Sequence, residues 1–124
     1  MLPRQDGFGT TAVASMQRAR RISHKRNAWS MCVMGGSDGY SHLRSAEMYD
    51  TSAGQWRALP EMSVARGGYA AVCIDGNVYV VGGESDATTQ LASMECYDPV
   101  ASEWRTLPSM GSARWCCAAV ACDM

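Results

Sequence analysis

Short apolar runs separated by polar, glycine- and proline-marked breaks recur along the chain, and none of them carries a helical period. Tyr69–Ile74 and Asn77–Val81 are β-rich and flank Asp75-Gly76, a dipeptide that predicts a two-residue type I′ hairpin. The glycine pair Gly82-Gly83 ends the second run, and a polar loop, Glu84–Leu91, leads to a third strand around Ser93–Tyr97. Asp98-Pro99 then turns the chain, because proline has no N–H to give to a ladder, and Glu103–Leu107 forms a fourth strand closed by Pro108. Four short antiparallel strands in succession are the predicted unit.

The unit occurs twice. Sliding the sequence by 48 residues sets Leu43–Gly76 on Leu91–Met124 and matches 17 of 34 positions, where unrelated sequence would match about two. The matches include Ser45/Ser93, Glu47/Glu95, Tyr49/Tyr97, Trp56/Trp104, Pro60/Pro108, Met62/Met110 and Arg66/Arg114. A period near 50 residues belongs to radially repeated four-stranded blades. Residues 18–65 read as repeat 1, 66–113 as repeat 2 and 114–124 as the first strand of a third. Residues 1–17 read as disordered or as the remnant of a preceding repeat.

The pattern weakens at both ends. Aligning backwards sets Met16 and Arg20 where Met62 and Arg66 stand, yet the segment expected to form the first strand, Ile22–Asn27, lacks apolar alternation and an Asp-Gly turn. That strand is expected to be frayed, displaced or absent. Trp115–Asp123 matches a first strand without its partner. Propellers close with about four to eight blades, so two blades imply a fragment of a longer chain, an unclosed product held by partners, or a ring of several copies.

Gly35-Gly36…Glu47-x-Tyr49-Asp50…Trp56-x-x-Leu59-Pro60-x-Met62…Arg66, repeated from Gly82-Gly83 to Arg114, resembles the kelch motif, most closely that of the kelch-like adaptor proteins. The resemblance covers the chain from about Arg18 onward. It implies an all-β fold: two four-stranded antiparallel blades of an incomplete β-propeller, the first degraded at its N-terminal strand, plus the first strand of a third. It also implies a protein-binding module whose propeller selects substrates for ubiquitin ligases. The repeated Tyr and Trp are expected to pack the blade cores beside glycines that leave room for rings.

In a four-stranded meander the loop between strands two and three and the link to the next blade leave on the same face, and loops on a rigid scaffold carry recognition. The partner-binding candidates are therefore Ser37, Asp38, Tyr40, His42, Arg44, Arg66, Glu84, Asp86, Thr88 and Arg114. Ordinary solvated loop residues are the competing reading, and Arg66 and Arg114 have the further alternative of bracing neighbouring blades.

Charge refines the partner class. Residues 1–26 carry six basic residues and one acid, whereas the remainder carries five Arg and eleven acids. An acidic body repels phosphate backbones, so the expected partner is a protein or peptide, not nucleic acid or a membrane. Self-association to complete a ring is a further expectation. The basic run Arg18–Arg26 has two readings, a nuclear-import signal in an otherwise cytoplasmic protein or the solvated charges of a degraded strand.

Six cysteines form no C-x-x-C pair, and only His24 and His42 could join them, so reduced structural thiols are expected in place of zinc or disulfides. Met1–Gly9 lacks a signal peptide's apolar run, and the longest apolar run, Trp115–Cys122, is too short to span a bilayer. Some kelch-containing oxidases bind copper through Tyr and His, but two isolated histidines offer no such cluster. No catalytic residue, metal ligand or cofactor is expected.

Overall fold

A computed structural model describes residues 13–18 and 29–122, which form ten strands. Strands β1 (Val13–Arg18), β2 (Trp29–Met34), β3 (Ala46–Asp50) and β4 (Gln55–Leu59) make an antiparallel meander, blade 1. Blade 2 repeats it with β5 (Ala70–Ile74), β6 (Asn77–Val81), β9 (Met94–Asp98) and β10 (Glu103–Leu107). Between β6 and β9, β7 (Glu84–Asp86) and β8 (Thr89–Gln90) form a separate hairpin where the sequence predicts only a polar loop. No described helix is long and apolar enough to cross a membrane.

The period of the sequence becomes a period of contacts. Tyr49 faces Trp56 and Tyr97 faces Trp104 in register, with ring centroids 5.2 Å apart in both pairs. The Asp75-Gly76 turn has φ of 51° and 85°, the double left-handed geometry of a type I′ hairpin. Asp50 and Asp98 each close their β-turns by accepting two backbone N–H groups, from Ser52 and Ala53 and from Val100 and Ala101.

Blade 2 packs on blade 1 through one apolar core. Cys32, Met34, Ala46 and Met62 from blade 1 and its exit meet Tyr69, Val78, Val80 and Tyr97 from blade 2. The Tyr69 hydroxyl donates to the Met34 carbonyl, and the Trp104 indole donates to the Pro60 carbonyl at 2.7 Å. Gly35 sits where the blades meet: its φ is +61°, and a Cβ there would stand 2.6 Å from the Arg66 carbonyl oxygen. Close backbone approach, more than room for a ring, explains this glycine.

Two expectations are corrected. The stretch read as disordered or remnant holds a strand, Val13–Arg18, and this is the first strand of blade 1, displaced as one of the three expected outcomes had it. Val13 pairs with Met34 and Arg18 with Trp29, so blade 1 begins before residue 18, and Met16 lies within a strand instead of at a repeat boundary. Charge favours this choice: His24-Lys25-Arg26 would bring three adjacent basic groups into the sheet, whereas Val13–Arg18 carries one, at its last position. Ile22–Asn27 and most of the basic run lie outside the described residues, as do residues 1–12 and Asp123.

The second correction concerns Trp115–Asp123, whose described part, residues 115–122, is not a strand. Cys116 N–H donates to the Gly68 carbonyl, and the Cys117 thiol lies 3.7 Å from the Val81 carbonyl, as Tyr69 lies on Met34 one blade earlier. The segment is thus laid down like the start of a blade.

Ser102 provides a test of backbone fit. It adopts φ +55° in the β9–β10 turn, where the equivalent Gly54 adopts +66° without side-chain strain. Replacing Ser102 with Gly is expected to stabilise the chain by about 0.5–1 kcal/mol, read as an upward shift of the denaturation midpoint.

Candidate functional site

The loop Ser37–Arg44 and the β7–β8 hairpin gather on one face together with the link that carries Arg66. Main-chain bonds draw them in: Gly36 N–H donates to Arg66 O at 2.8 Å, Arg66 N–H to Leu43 O at 3.2 Å, and Gly67 and Glu84 exchange two bonds at 2.8 and 2.9 Å. The same pattern recurs one blade on, with Gly83 N–H to Arg114 O at 2.7 Å and Arg114 N–H to Leu91 O at 3.0 Å. The shared face expected for these loops and links is therefore the face on which the structure places them.

The ten candidates divide by what their side chains touch. Arg66 is wholly buried: Nε and Nη2 reach Glu95 Oε2 at 3.2 and 3.0 Å, Nη1 reaches the carbonyls of Gly82 and Ser93 at 2.9 and 3.0 Å, and Nη2 reaches Ser93 Oγ at 2.8 Å. Glu95, 1% exposed, accepts the Ser63 N–H on its other oxygen at 2.8 Å. Every charge in this pair has an opposite charge or hydrogen-bond partner, the condition under which a buried ion pair is tolerated. Arg66 braces blade 2 against the exit of blade 1 and is out of reach of a ligand.

His42 and Glu84 are also mostly enclosed. His42 Nε2 lies 3.2 Å from Glu84 Oε1, tying the first loop to the second hairpin. Nδ1 is buried with no hydrogen-bond partner among the described residues, and the ring lies so close to Gly67 that a Cβ there would stand 2.8 Å from it. Arg44 folds back, with Nε on the Met62 carbonyl at 3.0 Å and Nη2 3.2 Å from Glu61. Ser37 accepts the Gly39 N–H at 3.0 Å.

The accessible set is Asp38, Tyr40, Arg44, Asp86, Thr88 and Arg114. Tyr40 is 90% exposed at the tip of a loop that Asp38 holds in shape by accepting the N–H groups of Tyr40 and Ser41, both at 2.9 Å. Those N–H groups, Ser41's first, hold the Asp38 carboxyl below its ordinary value. Asp86 is lowered in the same way, chiefly by the Thr88 N–H and then by its hydroxyl. Both carboxylates thus keep their turn-forming charge to a lower pH than an unperturbed aspartate does.

Sequence reasoning missed Glu95 as the partner of Arg66. The signal was present, since Glu47/Glu95 and Arg66/Arg114 are repeat identities, but nothing in spacing alone joins a β9 carboxylate to a residue 29 positions earlier.

No disulfide joins any of the six cysteines among the described residues, and no group of three or more His, Cys, Asp or Glu side chains there could hold a metal ion. Burial, then the neighbouring Cys73, pushes Cys32 up to about 11, and burial also raises Cys73 and Cys96. Cys116 and Cys122 are exposed.

The kelch motif matches residues 33–63 and 65–111, more than half of the chain. The chain is 43% identical over 61 residues to the kelch repeat-containing protein kel-10 of Caenorhabditis elegans, covering 49% of this chain and 10% of that protein. It is 37% identical over 73 residues to Kelch-like protein 35 of Mus musculus, covering 57% and 12%. It is also 40% identical over 52 residues to an F-box/kelch-repeat protein of Arabidopsis thaliana, covering 41% and 12%. The chain thus spans about a tenth of the length of these curated relatives. Among solved structures, a copper-bound fungal alcohol oxidase matches with a TM-score of 0.71 at 22% identity, covering 91% of this chain and 25% of that one. That likeness is one of fold.

Two measurements check these assignments. Arg66→Ala leaves Glu95 buried without its cation and is expected to cost about 3–5 kcal/mol in a denaturant melt, with Arg66→Lys recovering only part. Brief alkylation at pH 8 followed by mass spectrometry is expected to label Cys116 and Cys122 and to spare Cys32. With its pKa raised, Cys32 is thiolate in only about one molecule in a thousand at that pH.

Proposed function

Because the chain belongs to the kelch-repeat family, we propose that its two blades are a protein-interaction module that grips a partner protein or peptide through the Ser37–Arg44 loop and the β7–β8 hairpin. The observation that carries this reading is Tyr40, a large aromatic 90% exposed on a loop already fixed by the Asp38 turn. A rigid aromatic presented before binding loses little entropy when it docks, and tyrosine is enriched among residues that dominate binding energy. Asp86 and Thr88 stand exposed on the β7–β8 hairpin, and the Gly67–Glu84 bonds and the His42–Glu84 contact tie that hairpin to the first loop and its link.

The role is binding, without chemistry of its own. The relatives with BTB or F-box domains in their names support a finer version, in which the blades are the substrate-recognition part of a ubiquitin-ligase adaptor. The reduced cytoplasm suits six free thiols, and nuclear entry through the basic run belongs to the same proposal.

The test is selection of peptides from a displayed random library against the full chain, followed by affinity measurement. Binders are expected to lose about thirtyfold or more on Tyr40→Ala, with a smaller loss on Asp86→Ala. Peptides that bind the Tyr40→Ala chain as tightly as the parent would move the contact face elsewhere.

A further inference from the structure

The two recognition loops differ in length but end in a matching tip. Asp38 stands two residues after Gly36 and Asp86 three after Gly83, because the second loop carries one residue more. The surplus is taken up before the turn, where the β7–β8 register shifts between Glu84 and Asp86. Beyond it the blades agree again. Gly39-Tyr40 lies between Asp38 and Ser41, where Asp38 N–H donates to Ser41 O at 3.3 Å, and Ala87-Thr88 lies between the paired Asp86 and Thr89.

Each aspartate grips the residue two places on. Asp38 Oδ1 accepts the N–H groups of Tyr40 and Ser41, both at 2.9 Å. Asp86 Oδ1 accepts the Thr88 N–H at 2.9 Å and the Thr88 hydroxyl at 3.0 Å. Such a turn is closed by one side chain on its own next residues, so it survives a change in the residue between them: Gly39 at φ +95° in blade 1, Ala87 in blade 2. The Tyr40 side chain, 90% exposed, enters none of these bonds. Thr88 is exposed too, but its hydroxyl proton is committed to Asp86.

We infer that residues 40 and 88 are the specificity positions of the two blades, and that Asp38 and Asp86 are positioning residues that act on a partner only through the turns they close. The inference rests on the binding role proposed above and says which atoms of the site read the partner. Blade 1 selects an apolar or aromatic side chain of a partner peptide through the Tyr40 ring. Blade 2, whose tip residue is small and has already spent its donor, adds little grip of its own. Because each aspartate holds the backbone of the tip, the side chain there is free to change without loss of the fold.

The probes are library-selected peptides that lose affinity for the full chain on Tyr40→Ala. If no such peptide exists, the binding role falls and this assignment with it; the remaining outcomes bear on the assignment alone. Asp38→Ala is expected to weaken these peptides about fivefold to tenfold, whereas Asp38→Asn, whose amide oxygen accepts the same N–H groups, is expected to bind within about twofold of the parent. An Asn variant as weak as the Ala variant means that the carboxylate itself meets the partner, and overturns the assignment. The exchange variant Tyr40→Thr/Thr88→Tyr is expected to keep its melting midpoint to within about 4 °C by circular dichroism. It is also expected to lose the parent's peptides about thirtyfold and to select a different consensus from the same library. Parental affinity for the parent's peptides, or loss of the cooperative melt, overturns the assignment.

Discussion

The join between the blades depends on one guanidinium. Arg66 belongs to blade 1 by its main chain, whose carbonyl accepts the Gly36 N–H, and to blade 2 by its side chain, which binds Glu95, Ser93 and the Gly82 carbonyl. A planar donor fork with several fixed N–H directions can meet a carboxylate, a hydroxyl and two carbonyls at once, which an ammonium cannot do in the same geometry. The apolar contacts of Met34, Met62, Tyr69 and Tyr97 supply area, but area alone does not fix the offset of one sheet on the next. The directional bonds set that offset, and the loops of both blades are brought onto a common face as a result.

What this does for recognition is indirect. Arg66, His42 and Glu84 are enclosed and hold the frame, so that Tyr40, Asp86 and Thr88 are displayed at its rim. Residues that look alike in a loop, polar and unpatterned, thus fall into two groups with different physics. One group is desolvated within the fold, and the other stands in solvent on turns fixed by local hydrogen bonds.

Much of the fold was legible because its determinants are local. Asp75-Gly76 places a turn that the φ angles reproduce, β6 and β10 have the bounds their β-rich runs predict, and the repeat assigns blade 1 by analogy with blade 2. The failures have non-local causes. The displacement of the first strand to Val13–Arg18 depends on which segment wins a pairing with Trp29–Met34, a competition that a window of neighbouring residues does not contain. The Arg66–Glu95 pair spans 29 residues and four intervening strands, and the burial that removes it from the ligand face follows from the packing of one blade on another. The β7–β8 hairpin was hidden for a different reason: two or three polar residues per strand carry no hydrophobic signal.

The placement of Arg66 puts the anchor of the seam at the first position of the repeat it secures. Repeat 2, residues 66–113, opens with the cation and contains the carboxylate that receives it, while the main chain of that same arginine binds Gly36 and Leu43 of the unit before. A tandem gene duplication copied in this frame therefore delivers both halves of every new junction at the moment it arises. An array of such units can lengthen by whole repeats without any compensating substitution at the seam, because what is inherited is the interface itself.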